Sequence, residues 1–372
     1  MPQAGAETGP ETRTRRTMTS NFHRILRRFL TVFAAVAAVA VVAGCGGSSV
    51  SSSKSDAAPE GKSGPFTIGY DVYWLGNSWS VQLYQEFKAS AERNKGDVSK
   101  VVYTQSDNQV QKQISNVQSM ISRKVDAIIM TPISPSATVP VIKQAKAAGI
   151  PVILLSAEAD TDEYTSLVTV DQKKFGAAGA QWLADKLGGK GNIYALNGIA
   201  GVSTDSLRFD GAKEVFKKYP GIKIVADAHA SWDEAQAKRA VSNMLSSHPE
   251  VDGVWSQGGA MTLGAIQAFQ AARKDLVPMV GENNNGLMKE WVELKDEGFD
   301  SVGVTNPTWL ADDALKTTIK ALKGEPFEKD NVLTPPTITN DDLQEFVRTD
   351  LPDSFWVNTR LSDSQVDALF SK

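Results

Sequence analysis

From Phe66 onward, short apolar runs alternate with amphipathic stretches, the pattern of a parallel α/β sheet flanked by helices. Residues 66–72 (FTIGYDV), 101–104 (VVYT), 125–130 (VDAIIM) and 150–155 (IPVILL) read as strands. Between the second and third of these, Val110, Ile114, Val117 and Ile121 recur at helical spacing and predict one buried helix face. Gly149 stands where a helix would close before the fourth strand, because glycine enters the left-handed conformation of a helix end without strain.

The same order then repeats. KVDAIIMTP at 124–132 is matched by EVDGVWSQG at 250–258, and GIPVILLS at 149–156 by LVPMVGEN at 276–283. NVQSMI at 116–121 has AVSNML at 240–245 as its counterpart, and TIGYD near 67–71 corresponds to NIYAL near 192–196. Four βα units spanning about 125 residues therefore occur twice, which predicts two similar Rossmann-like lobes side by side. Ligands of open parallel sheets bind beyond the carboxyl ends of the strands, so two facing lobes would form a cleft lined from both sides. The segments expected there are rich in Asn, Gln, Ser, Thr and Trp.

The chain before Phe66 is of another kind. Arg24, Arg27 and Arg28 precede an uncharged run at 29–44, and Val42-Ala43-Gly44 leads into Cys45, the only cysteine of the 372 residues. The apolar run is shorter than the about 20 residues needed to span a bilayer. It resembles the signal segment of a bacterial lipoprotein, which implies cleavage before Cys45, acylation of its thiol and anchoring to the membrane. Residues 46–64 are small and polar and read as a flexible tether. The expected organisation is a signal segment at 1–44, a lipidated tether at 45–64, one lobe from 65–170 and 306–335, and a second lobe with the tail from 171–305 and about 336–372.

Charge and composition narrow the chemistry. The chain has 39 basic and 43 acidic residues, and loss of 1–44 removes six basic and two acidic ones. A mildly acidic body carries no electrostatic footprint for nucleic acid. One cysteine excludes a disulfide scaffold and a thiolate metal cluster. Neither HExxH, GxSxG nor a strand-following GxGxxG occurs. No metal, cofactor or catalytic residue is expected.

Several segments, in order, resemble the ribose- and galactose-type sugar-binding proteins of bacterial ABC importers. They are GNSWS, VDAIIMTP with AAGIPVILLS, GIAGVSTDSLRFDGAKEVF, YPGIKIVADAHASWDEA, WSQGGAMTLGAIQAF and PMVGENNNG, and together they span about 65–335. The resemblance implies a type I periplasmic-binding-protein-like fold, two Rossmann-like lobes joined by three hinge crossings, with a sugar in the cleft. By position, Asn77 and Trp79 take the amide and aromatic places of the first loop. Arg208 takes that of an arginine beneath the second lobe's first loop, and Trp232 that of the aromatic after that lobe's second strand. Aromatic rings would cover the apolar C–H face of a sugar while amides and guanidinium bond its hydroxyls.

Departures from the family pattern are equally specific. Ser156-Ala157 stands where ribose-type proteins have Asp-Arg, with Glu158 as a candidate substitute. Gly258-Gly259 replaces an Asn-Asp pair and leaves Gln257 as the nearest amide, Asn283 replaces an aspartate, and Thr305 beside Asn306 replaces a glutamine. Ribose itself is thereby disfavoured, while an amide-rich cleft is kept. Arg208 is the single basic candidate, against Asp71, Glu158, Asp205 and Glu282, so the expected ligand is a neutral sugar or polyol.

The expected protein is a monomeric, lipid-anchored binding protein on the outer face of the bacterial membrane, delivering its ligand to permease subunits served by a separate ATPase. A ligand-sensing receptor lobe is the alternative. A secreted glycoside-acting enzyme is further off, because no acid–nucleophile pair is recognisable. The anchor is checked by Cys45→Ser, which is expected to abolish lipid labelling and release the protein from membranes; persistent labelling would refute the acylation site.

Overall fold

The computed structural model describes residues 61–370. The 1–44 segment, Cys45 and all but the last four residues of the tether lie outside the described residues. The first part of the body runs β1 (Phe66–Val72), α1 (Ser78–Arg93), β2 (Val98–Gln105), α2 (Val110–Ser122), β3 (Ala127–Met130), α3 (Val139–Ala147), β4 (Val152–Leu155) and β5 (Ser166–Val170). The second runs α4 (Gln172–Lys186), β6 (Lys190–Asn197), α5 (Ser203–Phe216), β7 (Gly221–His229), α6 (Glu234–Ser247), β8 (Gly253–Ser256), α7 (Gly259–Ala271), β9 (Met279–Glu282), α8 (Asn285–Leu294) and β10 (Ser301–Val304). Then follow α9 (Leu310–Lys323), β11 (Asp330–Leu333), β12 (Thr337–Ile338), α10 (Leu343–Phe346) and α11 (Asp363–Phe370).

Two six-stranded sheets result, ordered β11-β5-β4-β3-β1-β2 and β12-β10-β9-β8-β6-β7. Strand for strand the order is the same, as the sequence repeat requires. The sheets differ at one edge, where β11 runs parallel to β5 but β12 runs antiparallel to β10. The chain passes between lobes three times: from β5 into α4, from β10 into α9, which packs on α1 and on β3–β5, and from β11 to β12.

Each sheet is buried on both faces, so its central strands are apolar without alternation. In β3, Ala127 and Ile129 join the cluster that holds Phe66, Tyr70 and Phe87, whereas Ile128 and Met130 face Val117, Met120 and Ile142 on the other side. Gly149 is left-handed (φ +70°) and follows the end of α3 as expected. The buried stripe of α2 departs from the one read in the sequence: it is Gln113, Val117 and Met120, with Val110, Ile114 and Ile121 only part-buried. The polar Gln113 is drawn inside because its amide donates to Asp71 Oδ2 and to the Thr131 carbonyl, both at 2.9 Å, and accepts from Ile133 N.

α4 and α5 approach closely enough that their backbones touch. A Cβ at Gly176 would lie 1.7 Å from the Arg208 carbonyl oxygen, and one at Gly211 would lie 1.9 Å from that of Lys173. Intrinsic helix propensity favours alanine over glycine by about 1 kcal/mol, so any loss on Gly176→Ala reports the crossing alone. This variant is expected to lose about 3 kcal/mol of stability or more by urea denaturation, because neither backbone can yield locally; stability equal to the wild type would mean that the helices can part freely.

Candidate functional site

A cavity of about 680 Å³, its mouth included, lies between the two sheets at the carboxyl ends of their strands. The first lobe contributes residues after β1 (Tyr73, Asn77–Trp79), β3 (Thr131–Ile133) and β4 (Ser156, Ala157); the second contributes residues after β6, β7, β8 and β9. Across the mouth, Thr204 Oγ1 donates to the Ser156 carbonyl at 3.3 Å, so the lobes touch there.

Asn77 caps α1: its side-chain oxygen accepts from Ser80 N and from Ser80 Oγ, both at 2.8 Å. The cap uses the oxygen and leaves the amide N–H groups for the cavity. At the second position of the helix, buried Trp79 donates its indole N–H to the Asn306 carbonyl on the second crossing, at 2.8 Å. That bond ties the first lobe's loop to the hinge and leaves the ring, without its polar edge, as the surface offered.

Trp232 is presented differently. Ser231 and Trp232 are both left-handed (φ +55° and +54°), a conformation uncommon outside glycine that costs on the order of 1–3 kcal/mol. The turn is held by Asp233, which caps α6 by accepting from Gln236 N at 2.8 Å. The ring lies against two glycines: a Cβ at Gly198 would fall 2.2 Å, and one at Gly258 2.9 Å, from it. Gly258, noted in the sequence as a departure, thus makes room for the indole. The Trp232 N–H has no partner within the protein.

Arg208 is fully buried at the floor, on α5. Its Nε donates to Gln172 Oε1 at 2.8 Å and its Nη1 to the Gln257 carbonyl at 2.6 Å, and the guanidinium sits 3.6 Å above the Phe175 ring. Arg208 Nη2 stands 3.2 Å from Glu282 Oε1, a buried ion pair, and that oxygen takes no other partner. Burial pushes the Glu282 carboxyl up to about 7 despite the attraction of Arg208. Asn306 Oδ1 is the third unpartnered polar atom among the lining residues.

Of the residues expected at the site, Asn77, Trp79, Arg208, Trp232 and Asn306 line this cavity, and four do not. Glu158 is exposed, because the chain turns outward after Ala157. Gln257 is buried one layer behind, its amide donating to Asn197 Oδ1 and to Asp205. Asn283 faces the C-terminal segment, donating to the Val357 carbonyl at 2.6 Å. Thr305 is spent on the hinge, its N–H bonded to the Pro336 carbonyl at 2.8 Å.

The charge balance read from the sequence also changes. Asp71 is buried within β1, accepting from Thr104, Ser106, Gln113 and Asn116. Asp205 is held by Gly198 N and Gln257. Among the lining residues Arg208 and Glu282 are the only charged ones, and they face each other. Glu282 at the end of β9 and Trp356 in the C-terminal segment complete the wall. The first was legible as a polar residue ending a strand, whereas Trp356 carries no local signal.

Because the folded protein holds the Glu282 proton to about pH 7 and the unfolded chain releases it near 4.5, the folded state binds more protons between those values. Stability at this site is therefore expected to fall as pH rises from about 4.5 to about 7. Glu282→Gln, which cannot ionise, should flatten that part of the profile in urea denaturation of the unliganded protein. Equal slopes for variant and wild type would contradict it.

Comparison with known proteins follows the same geometry. The family model described as periplasmic binding protein domain matches residues 68–326. The chain is 34% identical over 277 residues to the xylitol-binding protein of Mycolicibacterium smegmatis, covering 74% of this chain and 78% of that one. It is 26% identical over 264 residues to the ribose import binding protein RbsB of Bacillus subtilis, covering 71% and 84%. Among solved structures it is similar to an ABC transporter solute binding protein from Bacillus halodurans with bound myo-inositol, at 27% identity and a TM-score of 0.70, covering 77% and 98%.

Proposed function

The chain belongs to the periplasmic binding protein domain family, and on that premise we propose that it captures a small neutral sugar or polyol between its lobes for an ABC importer. The observation that carries this reading is the cavity's polar inventory. Its two charges oppose each other, and its polar groups without a hydrogen bond include donors, Trp232 Nε1 and the Asn77 amide, and acceptors, Glu282 Oε1 and Asn306 Oδ1. A hydroxyl both donates and accepts, so a polyhydroxy ligand satisfies such a set without bringing charge. Trp79 and Trp232 supply aromatic surface for its C–H faces. An anion would leave uncompensated charge in a buried site, at a cost of several kcal/mol. The relatives that bind xylitol and ribose, and the similar structure with bound myo-inositol, support the same ligand class.

The working cycle is non-enzymatic. Ligand enters an open form, the lobes close by bending at the three crossings, and the closed form is recognised by permease subunits powered by a separate ATPase. The protein acts as a monomer outside the cell membrane, held there by acylated Cys45. Among the described residues no helix is long and apolar enough to cross a membrane, and no cluster of residues could hold a metal ion.

Calorimetry with xylitol, ribose and myo-inositol is expected to find micromolar or tighter binding of at least one of them, near −8 kcal/mol, nearly unchanged between about 20 and about 500 mM salt. A sugar phosphate or dicarboxylate that binds tightly and weakens with salt would sink the reading. Trp232→Ala should cost about 2 kcal/mol of binding, a factor of tens, with the fold retained; normal affinity would remove the ring from the site.

A further inference from the structure

The C-terminal segment lies across both lobes, a feature for which the repeat gives no precedent. On the second lobe it is held by Asn285 N donating to the Phe355 carbonyl at 2.8 Å, Gly286 N to that of Asp353 at 3.0 Å, and Val357 N to that of Asn283 at 3.2 Å. Phe355 and Val357 are buried in the second lobe's apolar cluster, with Leu351 and Val366. The residue between them turns the other way, toward α1 of the first lobe.

There the buried side chain of Gln82 takes both backbone groups of Trp356. Gln82 Oε1 accepts from Trp356 N at 2.8 Å, and Gln82 Nε2 donates to its carbonyl at 2.9 Å. The indole N–H donates to Ser78 Oγ, also at 2.9 Å. Further along, Thr359 Oγ1 and Arg360 N donate to Glu86 Oε1, and Arg360 Nη1 donates to Asp312 Oδ2 at 3.1 Å. The Arg360 guanidinium covers the Trp309 ring at 3.8 Å. Bonds to both lobes thus fix the backbone around Trp356, while its 4% exposed side chain lines the cavity.

We propose that the segment 353–360 is part of the ligand site, with Trp356 a contact wall that limits the site to a single sugar ring or a short polyol chain. The inference rests on the neutral-ligand reading above. Trp232 keeps a free N–H for the ligand, but that of Trp356 is already bonded, so this ring offers apolar surface only. An aromatic wall whose backbone and polar edge are both held loses little freedom on binding. It also cannot swing aside for a longer ligand without breaking its bonds to Ser78 and Gln82. Gln82 lines nothing in the cavity and acts as a positioning residue.

The test is calorimetry of the full chain and three variants with xylitol, ribose and maltose. Trp356→Ala is expected to weaken whichever of xylitol and ribose the wild type binds by about tenfold or more, and to narrow the preference over maltose. Trp356→Phe, which keeps an apolar ring, should stay within about threefold, a distinction that a merely structural role would not produce. Gln82→Ala should weaken binding by about threefold or more, although it leaves the cavity-lining side chains unchanged. Binding by Trp356→Ala within about threefold of the wild type overturns the inference and leaves the neutral-ligand reading standing. Should Trp356→Ala not fold, unchanged binding by Gln82→Ala overturns it instead. If the wild type binds only myo-inositol, the same fold-changes are read with it; a wild type that binds neither these probes nor myo-inositol removes the neutral-ligand reading, and the wall with it.

Discussion

Taking a guanidinium out of water costs several kcal/mol unless its donors are met and its charge is opposed. Arg208 sits under that constraint at the floor of the cleft, and much of the site is arranged around it. Gln172 at the start of α4, the backbone after β8 and Glu282 at the end of β9 each take a side of its fork, while Phe175 covers its face. They can meet it only because α4 and α5 cross at glycines, which lets the helix carrying Arg208 lie against the helix carrying Gln172 and Phe175. Glu282 is buried in turn, so its carboxyl titrates high while its Oε1 stays against Arg208. One buried cation thereby meets one buried carboxyl, and no other charged residue lines the cavity.

The polar groups left open are few and come from different elements. Trp232 belongs to a strained turn after β7, Glu282 ends a strand, and Asn306 lies on a crossing between lobes. The fold brings them to one space. The left-handed pair at Ser231 and Trp232 fits the tendency of functional sites to hold backbone strain that surrounding contacts enforce. Here the enforcing contacts are the cap made by Asp233 and the two glycines under the ring.

Much of this architecture is legible in the sequence because a βα unit is a local object. Apolar runs, Gly149 and the 126-residue echo of VDAIIM in VDGVWS need no distant information. The strand-to-helix stretches are legible for the same reason, and they hold Asn77, Trp79, Arg208 and Trp232. What sequence conveys poorly is where a side chain turns once a remote segment arrives. Asn283 stands in the right loop, yet its amide serves Val357, 74 residues later. Gln257 is one layer too deep because Asn197 and Asp205 claim it. Glu158 follows a wall residue but leaves the wall, and Trp356 joins the wall from a stretch outside the repeat. Strand β5 and the borrowed edges β11 and β12 escape notice because Ser166, Thr169, Asp330, Asn331 and Thr337 break up their apolar runs.

Those borrowed edges also set an order of events during synthesis. β5 waits for β11, and the pairing of Leu167 with Asp330 joins residues about 160 positions apart. β10 waits only for β12, with Val304 and Thr337 about 30 positions apart. At about 5–20 residues per second, the first lobe is made early but keeps an open sheet edge for roughly ten seconds or more. The second closes its own edge within a few seconds of β10 leaving the ribosome. An unpaired β5 presents its backbone N–H and C=O groups to any passing strand over that interval. The lobes share one strand order, but the burden of protecting a nascent edge from misassociation falls mainly on the first.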